Sequence, residues 1–440
     1  MPELQREKLL VIGNGMASVR LLEALLRHDA GRFEITVAGA ETQPGYNRVL
    51  LSALLAREVS HDDIMLRGTD WYAQNGIVLV TGDAVVHVDT SARTAKLASG
   101  RDIGFDHCVF ATGSDPFRLP IPGIDKPGVL TFRDLGDVAA MDEAVRQGRK
   151  VAVIGGGLLG IEAAYGLARL GADVTLVHVM GRLMERQLDA RAAAMLKRAI
   201  MRKGIKVLLD RQTVAITGET SASGLAFADG STLEADLVIC AVGIRPNVLL
   251  AQQAGLAFNR GILVDDALAA NVPGFHAIGE CAEHRGVAYG LVEPAYAQAE
   301  ALALALCGKA GSFGGMVLAT NLKVSGVPVF SAGDFIGVDG TTTALLEEQD
   351  RGVYRKLVFR DDRLVGCVLV GEAEDGLWYL ELIRSGADIS GLRHDLLHGR
   401  TFTASQDQGH GASDAQAPAS MIAATILPAT MLPATLHEAA

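Results

Sequence analysis

The stretch VIGNGMASVR, Val11–Arg20, decides the fold of the first part of the chain. Gly13, Gly15 and Ser18 occupy the three glycine positions of a G-x-G-x-x-G dinucleotide-binding motif, with serine in the last position. The apolar run KLLVIGNG predicts a buried strand, and MASVRLLEALLRH has the apolar spacing of a helix. A second strand is predicted in EITVAGAE, which ends at Glu41. The stretch therefore opens a β-α-β unit with an acidic residue beyond it.

The same pattern returns in the middle of the chain. RKVAVIGGG predicts a strand, LLGIEAAYGLARLG a helix and DVTLVHV a second strand, with a complete motif at Gly155, Gly157 and Gly160. A helix N-terminus presents unpaired N–H groups and a partial positive charge, which suit a pyrophosphate. The third glycine serves close helix–strand packing, so a small serine at position 18 can replace it. Two such units predict two bound dinucleotides.

A tightly held flavin and a mobile nicotinamide are the natural pair of dinucleotides, because a flavin accepts a hydride and releases electrons singly. The residue after the second strand of the second unit bears on the identity of the nicotinamide. An acid there favours NAD, whereas a nearby arginine favours the 2′-phosphate of NADP. His178 decides neither, and Arg182 is able to accommodate a phosphate. NADH is favoured, and NADPH stays open.

Composition describes a soluble globular protein of several domains. The chain has 440 residues, 49% of them hydrophobic and 21% charged. Its net charge of −11 argues against nucleic acid as a partner. The five cysteines form no C-x-x-C pair, which argues against a zinc ribbon or a local redox disulfide. Unpaired cysteines and an N-terminus without a secretion-signal apolar core predict a cytoplasmic location.

Two proline-containing segments, 109–123 and 237–250, are interpreted as crossings between domains. The predicted fold class is α/β, with two Rossmann-like dinucleotide-binding domains and a small C-terminal α+β domain. The hairpin pattern VYRKLVFRDDRLVGCVLVG, with its turn at RDDR, supports the last of these. A charge-free segment, 417–436, is interrupted by three prolines and favours a flexible tail over a membrane span. The predicted domains are 1–115 with 240–315 for FAD, 116–239 for NAD(P)H, 316–400 for the α+β domain, and 401–440 for the tail.

Five segments in a fixed order, IGNGMAS, ATGSDP, GGGLLGIEAA, GIRPN and AIGECA, resemble the pyridine nucleotide–disulfide oxidoreductase superfamily. The resemblance implies FAD in the first fold, NAD(P)H in the second, and an FAD-dependent NAD(P)H oxidoreductase. No cysteine precedes Cys108, which excludes the branch with a C-x-x-x-x-C pair. GYNRVLLSALL resembles the Y-D-R-x-x-L-S of ferredoxin-reductase-like enzymes and of assimilatory NADH–nitrite reductase large subunits. Ala53 departs from the lysine that usually follows that serine in ferredoxin reductases.

Further phrases, LMERQLD, AIGECAEHRGVAYGLVEP and LKVSGVPVFSAGDF, resemble the nitrite reductase group most. Without the clustered cysteines of an iron–sulfur segment, the chain is expected to be the flavin reductase portion alone. The implied acceptor is a partner redox protein, above all the catalytic subunit of assimilatory nitrate or nitrite reduction. The alternatives are a ferredoxin or rubredoxin reductase, an NAD(P)H oxidase that reduces oxygen, and a non-catalytic NADH sensor.

The motifs and the resemblance together assign residues to each cofactor. For FAD they are Gly13, Gly15, Ser18, Glu41, Arg48, Thr112, Gly113, Glu280 and Glu293. For NAD(P)H they are Gly155, Gly157, Gly160, Glu162, His178, Arg182 and Gly243.

Glu162 has two open interpretations: a carboxylate stabilised by the helix dipole, or a contact of the nicotinamide carboxamide. Cys281 and His284 form a C-x-x-H without further ligands, so no metal is predicted. Hydride and electron transfer through a flavin requires no acid–base dyad or nucleophile in the protein, so none is assigned.

Overall fold

Two parallel five-stranded sheets position the glycine motifs. The computed structural model describes residues 6–147, 150–322, 326–393, 395–401 and 403. In spatial order, the strands of the first sheet are Phe275–Ala277, His107–Phe110, Glu7–Ile12, Phe33–Ala38 and Val78–Val80. Those of the second are Lys206–Leu208, Asp173–Val177, Lys150–Ile154, Leu237–Cys240 and Val129–Leu130. Burial on both faces of a parallel sheet explains their nearly continuous apolar sequences.

Each central strand runs into a glycine loop and then a helix, as the sequence predicts. Glu7–Ile12 is followed by the helix Met16–Asp29, and Lys150–Ile154 by the helix Leu158–Arg169. The long helix Val292–Leu306 packs beside Met16–Asp29. The N-termini of both motif helices therefore lie at the carboxyl edges of their sheets, which is where ligands bind in open α/β sheets.

The chain leaves the first sheet and returns to it through a pair of short strands. Ser114–Pro116 and Ile244–Pro246 pair antiparallel between the two sheets. They lie within the two segments that the sequence identifies as crossings. The last strand of the first sheet, Phe275–Ala277, then pairs with His107–Phe110. Residues from both sides of the second sheet's segment thus build the first sheet.

The described residues also form three smaller, three-stranded sheets, two of them antiparallel. One consists of Val85–Asp89, Thr94–Leu97 and Asp102–Gly104, and another of Thr213–Thr217, Gly224–Phe227 and Thr232–Glu234. A third small sheet is mixed, since Ile262–Val264 pairs parallel with Ala282–His284, which pairs antiparallel with Val287–Ala288. Other described helices are Leu51–Leu55, His61–Ile64, Thr69–Gln74, Leu135–Gln147, Ala190–Arg202 and Leu249–Gln253, with 3-10 turns at Arg48–Leu50, Gly279–Cys281 and Leu396–His398.

The C-terminal part is an antiparallel five-stranded sheet covered by one helix, Gly376–Ser385. Its strands, in spatial order, are Ala319–Leu322, Val329–Gly333, Arg363–Val370, Val353–Arg360 and Thr342–Glu348. Arg360 pairs with Arg363, which confirms the predicted hairpin turn at RDDR. Most of the predicted tail, 401–440, lies outside the described residues. Among the described residues, no helix is both long and apolar enough to cross a membrane.

Candidate dinucleotide-binding sites

The first glycine of each motif is required by its backbone. Gly13 has φ +104° and Gly155 has φ +122°, in the left-handed region that favours glycine. A β-carbon at Gly13 would lie inside 3.0 Å of the carbonyl oxygen of Ala111, and one at Gly155 would lie equally close to that of Ala241. Both carbonyls follow the neighbouring strand of the sheet. Each first glycine therefore lets the loop turn tightly against that strand.

The second glycine of each motif begins an open helix end. Gly15 and Gly157 are the N-cap residues of their helices, and neither helix start has a side-chain cap. A β-carbon at either glycine would have no protein atom within 4 Å. The start of each helix therefore has free space beside its second glycine, which fits a pyrophosphate approaching the first N–H groups.

The third motif position differs between the two loops. The Ser18 side chain is fully buried, and its hydroxyl donates to the carbonyl oxygen of Gly13 at 2.7 Å. In the second loop, a β-carbon at Gly160 would lie inside 3.0 Å of the carbonyl oxygen of Gly155. The first loop is therefore wider at this point and uses the serine as an internal hydrogen-bond donor.

Glu41 and Arg48 come together beside the first loop. Glu41 accepts a hydrogen bond from the hydroxyl of Tyr46 at 2.6 Å and forms an ion pair with Arg48. The Arg48 guanidinium lies 4.9 Å from the centre of the Tyr46 ring and donates to the carbonyl oxygen of Arg133 at 3.1 Å. The two residues predicted for FAD are thus held as a partly exposed pair at the rim of the loop.

Arg133 is a candidate site residue that the sequence reasoning missed. It forms an ion pair with Glu280, and its Nε donates to the carbonyl oxygen of Ser114 at 3.0 Å. The hydroxyl of Ser114 also donates to Glu280, at 2.7 Å. Gly113 lies against this cluster, since a β-carbon there would be 3.8 Å from Arg133 and 3.9 Å from Glu280. The only sequence signal for Arg133 is its place between a strand and a helix.

Two side chains predicted to line the FAD site are engaged elsewhere. The Thr112 hydroxyl donates to the carbonyl oxygen of Asn247 at 2.9 Å, and the Asn247 amide donates back to that of Thr112 at 3.1 Å. The carboxylate of Glu293 is paired bidentately with Arg384 of the C-terminal part, at 2.6 and 2.9 Å. Thr112 therefore ties the two crossings together, and Glu293 ties its helix to the C-terminal sheet. Their roles at the cofactor stay predictions, with the Thr112 hydroxyl still able to accept a hydrogen bond and half of the Glu293 side chain exposed.

In the second fold, Glu162 is buried in the helix after the glycine loop, with 6% of its surface exposed. Burial raises the pKa of Glu162 to about 8, because the ionised carboxylate is poorly solvated there. Gly243, at φ +123°, faces open space, where a β-carbon would meet no atom within 4 Å. Of these two predicted NAD(P)H residues, Glu162 is buried within the second fold, and Gly243 is exposed in the segment 237–250 that returns to the first sheet.

His178 is turned towards the glycine loop rather than towards solvent. Its Nδ1 accepts the N–H of Gly156 at 3.0 Å, and its Nε2 lies 3.0 Å from a carboxylate oxygen of Glu185. Arg182 donates to the carbonyl oxygen of Glu185 at 3.4 Å. Glu185 is a second residue that the sequence reasoning missed, although it stands in the quoted segment LMERQLD.

The cysteines and the C-x-x-H pair have internal partners. All five cysteines are free thiols, and four of them are buried. The Cys281 thiol lies 3.4 Å from the carbonyl oxygen of Phe110, and His284 is paired with Asp266 at 2.9 Å. Across the described part of the chain, no group of three or more histidine, cysteine or acidic side chains is placed to hold a metal ion.

Comparison with known proteins identifies two family models along the chain. Residues 7–299 match the pyridine nucleotide-disulphide oxidoreductase model, and residues 319–387 match the rubredoxin NAD+ reductase C-terminal domain. A nitrite reductase [NAD(P)H] of Bacillus subtilis (strain 168) is 47% identical over 88% of the chain and 48% of its own length. An assimilatory nitrate reductase electron transfer subunit of the same organism is 41% identical over 90% of the chain and 52% of its own length. The chain therefore spans about half the length of these relatives.

Solved structures give the same fold. A ferredoxin reductase from Rhodopseudomonas palustris matches with a TM-score of 0.78 at 27% identity, covering 85% of the chain and 93% of that protein. The NADH:rubredoxin oxidoreductase of Clostridium acetobutylicum matches with a TM-score of 0.72 at 25% identity, covering 88% and 97%. These findings confirm the predicted superfamily, the fold class and the class of enzyme, a pyridine nucleotide-dependent oxidoreductase. The predicted cofactor pair, FAD and NAD(P)H, is that of the family.

Proposed function

The chain belongs to the pyridine nucleotide-disulphide oxidoreductase family, and from this premise we propose that it passes electrons from NAD(P)H, through FAD, to a partner redox protein. The observation that carries the proposal is the pair of open helix N-termini at Gly15 and Gly157. Each lies at the carboxyl edge of its own parallel sheet, so one chain offers two separate dinucleotide sites.

FAD is assigned to the first loop and the nicotinamide dinucleotide to the second. FAD supplies hydride acceptance and single-electron release, chemistry that no side chain of the protein provides. The helix N–H groups beyond Gly15 would hold its pyrophosphate, and Arg48 and Arg133 are cations proposed to assist there. The carboxylate of Glu280, already an acceptor for Ser114, has free lone pairs for hydroxyl groups of the ribityl chain.

The partner is proposed to be the catalytic subunit of assimilatory nitrate or nitrite reduction. Support comes from the nitrite and nitrate reductase relatives, which are more similar in sequence than the rubredoxin reductase relative at 26% identity. The five cysteines form no C-x-x-x-x-C pair and all are free, so electrons are expected to leave the flavin directly for a partner. All five cysteines are free, which suits the reducing cytoplasm that we propose as the compartment.

A rubredoxin-type iron–sulfur protein is the second candidate partner. Residues 319–387 match the C-terminal domain of rubredoxin NAD+ reductases, and this is the observation that favours it. Ala53 in place of the usual lysine counts against a ferredoxin-type reductase.

The first experiment is a visible spectrum of the purified protein, followed by anaerobic titration with NADH and, separately, NADPH. We expect flavin absorbance that bleaches with one equivalent of the preferred nicotinamide. A protein that neither retains nor takes up FAD would overturn the proposal.

The partner is then tested by adding a nitrate reductase catalytic subunit or a rubredoxin to the NADH-reduced protein under anaerobic conditions. Rapid reoxidation of the flavin by the nitrate reductase subunit is expected. Faster reoxidation by rubredoxin would move the assignment to the second candidate. If neither protein reoxidises the flavin, and admitting air in a separate experiment reoxidises it rapidly, an oxidase would be favoured and both partner assignments would be overturned.

A further inference from the structure

We propose that Glu185, held in place by His178, makes the second dinucleotide fold selective for NADH over NADPH. This inference rests on the proposed function and assigns a specificity residue to the same site. In this class of fold, the acid that accepts the ribose 2′-OH ordinarily stands directly after the second strand. Here that strand, Asp173–Val177, is followed by His178, so an acid that recognises the 2′-OH would have to come from another position.

The imidazole of His178 is fixed in one tautomer by its two partners. Nδ1 accepts the N–H of Gly156, so the ring proton lies on Nε2 and is donated to Glu185 at 3.0 Å. The ring packs closely against the loop, since a β-carbon at Gly156 would lie 2.6 Å from its Cγ. His178 therefore has no free nitrogen for a ribose hydroxyl. It acts as a positioning residue for the carboxylate at its far end.

Gly156 also fixes the backbone next to Glu185. Its carbonyl oxygen accepts the N–H of Met184 at 2.9 Å. Met184 has φ +49°, a left-handed conformation that a non-glycine residue adopts only where its surroundings enforce it. The residue at the centre of the glycine loop thus holds both His178 and Met184. The Glu185 carboxylate, which comes from the segment after the second strand, is thereby held near the end of that strand, beside His178.

The carboxylate of Glu185 is charged and only partly covered. Burial raises its pKa, but the hydrogen bond from His178 and neighbouring positive charge outweigh this and hold the pKa below its usual value. One quarter of the side chain is exposed, which leaves lone pairs free for a ligand. An ionised carboxylate accepts hydrogen bonds from a ribose 2′-OH and repels a 2′-phosphate.

Arg182 is the group that opposes this assignment. Its Nε is buried without a hydrogen-bond partner in the described part of the chain, and a guanidinium suits a 2′-phosphate. Arg182 already donates to the Glu185 backbone carbonyl oxygen, however, at 3.4 Å, so a 2′-phosphate that reached Arg182 would also come near Glu185. Because two hydrogen bonds to Gly156 anchor the segment, Glu185 does not swing away freely. Repulsion by the fixed carboxylate therefore sets the preference.

The test is isothermal titration of NAD+ and NADP+ into the FAD-loaded, oxidised protein, which measures binding without turnover. Glu185→Gln keeps the shape and the acceptor for His178 but removes the charge. We expect the wild type to bind NAD+ at least about tenfold more tightly than NADP+, and Glu185→Gln to lower that ratio about tenfold. Glu219→Gln removes an exposed acid from a turn of the same fold and leaves the ratio unchanged. NADP+ binding the wild type as tightly as NAD+, or an unchanged ratio in Glu185→Gln, would overturn the inference.

His178→Ala tests the positioning role. The variant releases the Glu185 side chain without altering the number of carboxylates. The preference for NAD+ over NADP+, measured as the ratio of their affinities, is therefore expected to fall while the FAD content stays constant. A uniform loss of both affinities would indicate a merely structural histidine and count against the proposal. If the wild type binds neither dinucleotide, the proposed function itself fails. If NAD+ and NADP+ both bind and NADH bleaches the flavin, but no variant changes the NAD+/NADP+ affinity ratio, only the role of Glu185 is lost.

Discussion

The two glycine loops are built alike at their first two positions and differently at the third. Gly13 and Gly155 share a left-handed backbone pressed against a neighbouring carbonyl group, and Gly15 and Gly157 share an open helix start. At the third position, Ser18 fits and bonds within its loop, whereas no β-carbon fits at Gly160. The first two positions serve the turn and the ligand, and the third serves the packing of the helix on its own loop. Ser18 therefore packs within the first loop as glycine does in the second, and its presence does not indicate a loop that has lost the ability to bind a dinucleotide.

The largest effect is expected from copying the first loop into the second. In Gly160→Ser, the new β-carbon would overlap the carbonyl oxygen of Gly155, and backbone atoms cannot yield as a flexible side chain would. We expect a loss of roughly 3–5 kcal/mol in the free energy of unfolding of the second fold. FAD should stay bound while bleaching by NADH is lost. The measurement combines FAD content, NADH titration and hydrogen exchange in the helix Leu158–Arg169.

The matched control is the reciprocal change, Ser18→Gly. It gives the first loop the sequence of the second, removes one hydrogen bond and creates no overlap. FAD binding should survive. Equal damage from both changes would mean that the two loops are equivalent and that the difference at the third position has no structural meaning.

A second difference lies two residues further along each helix. The first helix carries Arg20, which approaches Glu300 at 3.7 Å, and the second carries the buried Glu162. The folded pKa of Glu162, about 8, exceeds the ordinary 4.5, so its stabilising proton is lost as the pH rises through that range. Relative to Glu162→Gln, the wild type is expected to lose about 4 kcal/mol of unfolding free energy between pH 5 and pH 9. Hydrogen exchange of the second fold at the two pH values, without nicotinamide, measures this.

The first sheet has the opposite pH sensitivity, in its outer strand Phe275–Ala277 and the neighbouring strand His107–Phe110. His107 and His276 stack there with ring centres 6.0 Å apart, and three of their four ring nitrogens are buried without a hydrogen-bond partner among the described residues. By strand register, the equivalent positions of the second sheet are Leu237 and Leu130. Burial, together with the charge of His107, lowers the pKa of His276 to about 4.

The variant His276→Leu gives the first sheet the side chain of the second. In the wild type, His276 binds a proton between pH 6.5 and 4 in the unfolded chain but stays neutral in the folded protein. The free energy of unfolding therefore falls as the pH drops through that range. The variant should be free of this loss, which we put at about 2 kcal/mol. Fluorescence of Trp71, which packs on the core of the first fold, reports unfolding in urea at pH 7 and pH 4.5. A wild type as stable at pH 4.5 as at pH 7 would refute the role of the buried pair.

Sequence alone predicts what depends on near neighbours along the chain. The strands and helices around both loops follow from apolar spacing, and the glycines follow from a motif whose parts lie within six residues of one another. It does not predict side chains that tertiary approach brings in. Arg133 meets Glu280 and Arg384 meets Glu293 only because distant segments return to the same place. Glu185 lies near His178 in sequence, but its direction depends on the hydrogen bonds of Gly156.

The smallest effect is expected at Ser18, the residue by which the first loop differs from the second at the third motif position. Ser18→Ala keeps the β-carbon that the first loop accommodates and removes only the hydroxyl that donates to Gly13. The expected cost is about 1 kcal/mol, the usual worth of one neutral hydrogen bond, with full FAD content. Urea unfolding followed by Trp71 fluorescence and by flavin release measures both quantities on one sample. If FAD is lost while the unfolding free energy is unchanged, the hydroxyl serves the cofactor rather than the loop. The third motif position would then contribute to cofactor binding in the first fold through the Ser18 hydroxyl, which Gly160 lacks in the second fold.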